Sequence, residues 1–139
     1  MHPTEGRVVG IYAPLKERMA LKHARVTNET RRSLLAEDAK IADTFWHRAR
    51  GLMGKDELPI GRGLVLMPCK SVHSMMMRFP IDVLHLAKDG TVLRALTPLQ
   101  PFRLGPIVWG GHCAIELPAG TVFHSGTRVG DRVVIEVAA

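Results

Sequence analysis

Residues 81–96 read Ile81-Asp82-Val83-Leu84-His85-Leu86-Ala87-Lys88-Asp89-Gly90-Thr91-Val92-Leu93-Arg94-Ala95-Leu96. Two apolar runs of strand length flank Lys88-Asp89-Gly90. An Asp-Gly pair between such runs signals a β-hairpin, because glycine tolerates the positive φ that the turn demands. The same texture continues on both sides. Upstream, Gly63-Leu64-Val65-Leu66-Met67 is a short apolar run closed by Pro68. Downstream, Pro98, Pro101, Gly105 and Pro106 predict a long loop. Cys113-Ala114-Ile115-Glu116-Leu117 then predicts a strand ended by Pro118-Ala119-Gly120. In the last segment Val133, Ile135 and Val137 alternate with a face that holds Glu136, the period of a half-buried strand.

The N-terminal half is less regular. Thr27-Asn28-Glu29-Thr30 reads as a turn or a strand edge. Residues 33–42 fit either a helix or two short strands broken at Glu37-Asp38. Phe45, Ala49 and Leu52 follow helical spacing behind a capping Asp43 or Thr44, with Gly51 and Gly54 as stops. One short helix is expected at about 44–52. Many short strands, frequent Pro/Gly turns and a single helix predict a mainly β fold, either a compact β-sandwich or a partly open barrel.

Composition bounds the function. A length of 139 residues fits one domain, and 46% hydrophobic with 23% charged residues excludes wholesale disorder. Two cysteines cannot form a disulfide framework. The net charge of +6 is uneven, with +4 in residues 1–32 and +2 in the remainder. The expected organisation is therefore a basic N-terminal extension, residues 1–32, ahead of a single β-rich domain, residues 33–139. A basic arm can bind phosphate backbones, but no basic run and few aromatics (5%) accompany it, so nucleic-acid binding is weakly supported. Charges interrupt every candidate leader in residues 1–25, and no apolar stretch has membrane-spanning length. A cytoplasmic protein with reduced thiols is the expectation.

Arg48-Ala49-Arg50-Gly51-Leu52-Met53-Gly54, Gly63-Leu64-Val65-Leu66, His73-Ser74 with Met77, Ile81-Asp82-Val83-Leu84, Ile115-Glu116-Leu117-Pro118-Ala119-Gly120 and Val129-Gly130-Asp131 occur in that order. Together they resemble the domain-of-unknown-function family 192, from about residue 33 to the end. The resemblance implies a compact β-sandwich or barrel and carries no established activity. Met75-Met76 stand here where that family commonly has aromatic residues, and Lys55 stands where an arginine is common.

The candidate binding residues are Arg48, His73, Met77, Arg78, Asp82 and Glu116. Asp82 interrupts an apolar run, so it faces solvent or is buried with a partner such as Arg78, Arg48 or His73. A His–carboxylate pair can orient a tautomer for acid–base work or tie a strand to a loop. Glu116 points away from both neighbours, and with Asp82 it can supply two carboxylates to one cavity, raising one pKa. On a strand, His73, Met75 and Met77 would line one face beside Cys69, a soft ligand set, whereas methionines ordinarily pack in cores. Arg48 and Arg50 can bind an anion or the carbonyls of the last helical turn. No nucleophile elbow, phosphate loop or zinc-protease helix is present. These residues point to binding of a small molecule or protein partner through a polar patch around His73, Asp82 and Glu116. A metal-dependent or hydrolytic enzyme built on the same residues is the rival. The cofactor, the catalytic residues, the substrate and the oligomeric state stay open.

Overall fold

In the computed structural model, which describes residues 22–43, 48 and 51–138, the Asp89-Gly90 turn joins two antiparallel strands as expected. The strands in chain order are β1 (Lys22–Asn28), β2 (Ser33–Ala42), β3 (Arg62–Leu66), β4 (Ile81–Leu86), β5 (Val92–Leu99), β6 (Cys113–Pro118) and β7 (Val133–Val137). A five-residue helix, α1 (Thr121–Ser125), lies between β6 and β7. The seven strands form one sheet in the order β5-β4-β6-β3-β2-β1-β7. Only β2 and β3 are parallel; the other neighbours are antiparallel.

The sheet curls into a half-barrel, which settles the choice between sandwich and partly open barrel in favour of the latter. Its two ends meet at a single seam. Thr91 bridges Arg132, the Val92 N–H donates to the Asp131 carbonyl at 2.8 Å, and the Val133 N–H donates to the Gly90 carbonyl at 2.9 Å. Gly90 is required twice there. Its φ is +92°, and a Cβ would lie 2.3 Å from the Val133 oxygen.

Both faces of the central strands are covered, so every residue of β4 and β6 is buried. Register assigns the faces. Leu84 opposes Ile115 and Val65 opposes Ile115, placing them in one cluster with Val26, Ala39, Leu86, Leu117 and Val122. Val83, Leu64, Leu66 and Ala114 lie on the other face, packed under Leu52, Val72 and Met77 from the connecting segments. This two-sided burial explains why β4 carries apolar residues on both faces, Ile81 and Val83 on one and Leu84 and Leu86 on the other, rather than alternating with solvent-facing polar ones.

Several expectations are corrected. Residues 33–42 form one strand. Ala24 pairs with Ala39 and Val26 with Ala36, so β2 carries one extra residue there. That bulge at Glu37-Asp38 is what breaks the sequence period; both N–H groups donate to the Gly61 carbonyl instead. β5 runs through Pro98 to Leu99, which an edge strand permits because one side needs no ladder donor. The helix expected at about 44–52 falls mostly outside the described residues; Arg48 has helical backbone and residues 51–54 form a turn. His73 makes an isolated bridge to Leu104, and the chain turns at Met75-Met76, with Met76 at φ +61°, so the three candidate ligands do not share a strand face. Met77 is buried, while Met75 and Met76 are exposed.

β1 lies within residues 1–32 and pairs with both β2 and β7. At its C-terminal end, the Asn28 amide donates to Thr127 Oγ1 at 2.9 Å and to Asp131 Oδ2 at 3.0 Å, and Arg31 Nε donates to the same carboxylate at 3.0 Å. These donors, Arg31 first, hold the Asp131 carboxyl down to about 2.

Candidate functional site

A cavity of about 310 Å³ opens beside Leu66 at the end of β3 and Glu116 of β6, under the 67–73 segment. Its walls combine apolar Leu52, Leu66, Val72 and Met77 with polar Arg48, Cys69, His73 and Glu116. Four of the six candidates named from sequence therefore line one space: Arg48, His73, Met77 and Glu116.

Glu116 is the unusual member. It is 2% exposed, and its Oε2 has no hydrogen-bond partner among the described residues. Strand alternation sends it away from Ile115 and Leu117 into the second face, opposite Leu64 and Val83. Burial pushes its pKa up to about 8, because removing a carboxylate from water penalises the charged form. Glu116 is thus a neutral acid at neutral pH, with one O–H donor and an acceptor oxygen to offer. Gly51 borders it at φ +49°, a backbone conformation that favours glycine; a Cβ there would make only ordinary contact, 3.6 Å from Glu116 Oε1.

The other polar walls are held by backbone. Arg48 Nη1 donates to the carbonyls of Asp43 at 3.2 Å and Met67 at 3.4 Å. His73 Nδ1 accepts from the Met75 N–H at 3.3 Å, so in the neutral ring Nε2 carries the proton. Cys69 Sγ donates to the Ser71 carbonyl at 3.0 Å, and burial raises its pKa, which keeps it a thiol rather than a nucleophilic thiolate. Among the described residues no group of three or more His, Cys, Asp or Glu side chains is placed to hold a metal ion.

The remaining two candidates lie elsewhere. Asp82 opposes Leu117 on β6, one position out of phase with the Val83–Glu116 pair, so Asp82 and Glu116 project from opposite faces of the sheet. Asp82 lines a second cavity with Thr97, Gly120 and Phe123. Its Oδ2 accepts from the Gly120 and Val122 N–H groups, each at 3.0 Å, and so caps the start of α1. Burial raises its pKa, opposed by those two bonds. The raised pKa of Glu116 comes from desolvation alone, without the second carboxylate that the sequence suggested. Arg78 sits on the surface, paired with Asp56 at 2.6 Å.

Two residues outside the six candidates also bear on the site. Cys69, grouped in the sequence with the soft ligands His73, Met75 and Met77, is part of the cavity wall. His85 is fully buried on the Glu116 face of β4, and neither ring nitrogen has a hydrogen-bond partner among the described residues. Burial, with Arg94 alongside, lowers its pKa. A histidine inside an otherwise apolar strand run was the visible hint.

The family model DUF192, described as "Uncharacterized ACR", matches residues 25–135. The chain belongs to this family. A DUF192-type relative, a UPF0127 protein of Thermococcus sibiricus, is 30% identical over 115 residues, covering 79% of this chain and 73% of that protein. Two solved structures share the fold. One, a protein of unknown function from Novosphingobium aromaticivorans, superposes with a TM-score of 0.69 at 18% identity, covering 95% of this chain and 94% of the other. The second, from Sinorhizobium meliloti and described as a candidate transcription regulator, has a TM-score of 0.65 at 21% identity, covering 84% of this chain and 94% of the other. At these identities the likeness is one of fold. The DUF192 match begins at residue 25, inside β1 and ahead of residue 33. Among the described residues no helix is long and apolar enough to cross a membrane.

Proposed function

We propose that this DUF192 domain binds a small polar molecule in the cavity walled by Arg48, Cys69, His73, Met77 and Glu116. The observation that carries the reading is Glu116, a buried acid whose Oε2 has no partner among the described residues while it lines a space of about 310 Å³. That volume is at the small end of ligand pockets. An unsatisfied buried polar atom costs roughly 1–3 kcal/mol, and a ligand that pairs with it recovers that cost. The neutral carboxyl suits a group that both accepts and donates, such as an amide, a carboxylic acid or an alcohol. Leu52, Leu66, Val72 and Met77 offer contact to a short apolar remainder. The raised pKa of Cys69 favours binding over thiolate chemistry. Two free cysteines, Cys69 and Cys113, suit the reducing cytoplasm.

The test is to purify the protein without added ligand, then combine native mass spectrometry with a crystal structure. A small-molecule adduct is expected, with density within hydrogen-bond distance of the Glu116 carboxyl. The adduct should vanish in a folded Glu116→Leu variant. Solvent alone at Glu116, with no adduct in the native spectrum, would overturn the reading.

A further inference from the structure

Two surface segments next to the cavity are zipped together by backbone hydrogen bonds. The Ser74 N–H donates to the Arg103 carbonyl and the Phe102 N–H to the Ser74 carbonyl, both at 2.8 Å; further along, the Val108 N–H donates to the Lys70 carbonyl at 2.7 Å. The pair presents large apolar side chains to solvent. Leu104 is 80% exposed and Trp109 79%, with Met76, Phe102 and Ile107 also exposed. Exposed apolar residues also occur singly elsewhere, as at Ile60 and Phe123, which is ordinary, but five of them on two joined loops mark an interaction surface. Met76 and Phe102 adopt φ of +61° and +58°, so two of these side chains are displayed at the expense of backbone strain.

The charge of the surface says what covers it. Neither residues 67–80 nor residues 100–112 contain a single Asp or Glu, whereas they hold Lys70, Arg78 and Arg103. Asp56, the partner of Arg78, comes from a third segment. A second copy of the chain docking face to face would bring these cations against themselves, since a two-fold interface pairs one patch with its own image. An anionic surface fits both the charge and the apolar display. Exposed Trp and Phe beside basic residues are the composition of segments that settle at the headgroup level of a bilayer. We propose that the paired 67–80 and 100–112 loops dock on an anionic membrane surface. Lys70 and Arg103 meet the headgroups, and Leu104, Ile107 and Trp109 enter the interface. Because Lys70, Val72 and His73 also line the cavity, docking sets the cavity beside the lipid headgroups. The inference stands whether or not the cavity holds a ligand.

Vesicle co-sedimentation of the full chain tests it. The comparison is between phosphatidylcholine vesicles and vesicles with a quarter phosphatidylglycerol, at low and high salt. Binding to the anionic vesicles is expected to be at least about tenfold stronger, and to weaken with salt. Leu104→Ser/Trp109→Ser changes two exposed side chains and no charge; with an unaltered thermal midpoint it should lose at least about tenfold in anionic-vesicle binding. In a Trp46→Phe background, Trp109 emission should move to shorter wavelength on vesicle addition. Unchanged vesicle binding in the double variant would assign any lipid affinity to another surface and overturn the proposal. So would a concentration-dependent dimer abolished by the same variant, or equal affinity for soluble polyglutamate, which would mark an acidic protein partner.

Discussion

Replacing Glu116 by Gln removes a titration while keeping shape. The folded protein holds the Glu116 proton up to about pH 8, whereas the unfolded chain releases it near the ordinary value of 4.5. Between these values the native state binds more protons than the unfolded state, so stability falls as pH rises. The contribution is fully present below 4.5, declines through the window and levels off above 8. Each pH unit is about 1.4 kcal/mol, so the stretch from pH 5 to pH 8 amounts to about 4 kcal/mol. The glutamine side chain has no proton to lose. The stability of the Glu116→Gln variant relative to wild type should therefore rise by about 4 kcal/mol between about pH 5 and pH 9. Every other titrating group is shared by both proteins and cancels in the difference, and any constant offset from the amide does not vary with pH. Urea unfolding at several pH values, with m checked for constancy, gives the difference curve. A curve that moves by less than about 1 kcal/mol across this range would refute a buried, neutral Glu116.

Two further outcomes follow from the fold. Gly90→Ala drives a Cβ to 2.3 Å from the Val133 oxygen at a φ of +92° and so opens the seam; a loss of at least about 3 kcal/mol in urea unfolding is expected, and a loss under about 1 kcal/mol would show that the seam is not needed. His85→Leu removes two unpartnered ring nitrogens, so stability at about pH 7 should hold or rise by about 1–3 kcal/mol. The pKa of His85 is lowered in the fold, so its neutral form contributes fully above about 6.5 and is lost as pH falls. The leucine variant should therefore gain further on wild type at about pH 5.5, and a variant less stable than wild type at both pH values would sink this account.

The hairpin was legible because its cause is local. Asp89-Gly90 selects the turn, and β3, β6 and β7 follow from short apolar runs bounded by Gly and Pro. The bulge at Glu37-Asp38 was visible only as a broken period, since an unpaired residue leaves the same trace as a helix or a chain break. The helix α1 was hidden by its length: five residues between Gly120 and Gly126, both in the left-handed region, show no period to read. Its cap is Asp82, 38 residues before Gly120, so no local pattern could announce it.

The candidate site divides along the same line. Arg48, His73, Met77 and Glu116 stood out as polar or soft residues in apolar surroundings, and they do share a cavity. Asp82 stood out for the same reason and does not. Asp82 and Glu116 each interrupt an apolar pattern, and their own strands look alike. Whether they meet depends on the β4–β6 register, where a shift of one residue exchanges the faces. By itself the sequence determined a mainly β chain, its central hairpin and a short set of polar residues worth explaining, because propensity and turn chemistry act over a few residues. Only the tertiary structure decided that the sheet curls and closes at Gly90, that Asp82 caps a helix, and that Glu116 is a neutral acid in a cavity. Those outcomes depend on which distant strands pair, in which register, and what then covers each face.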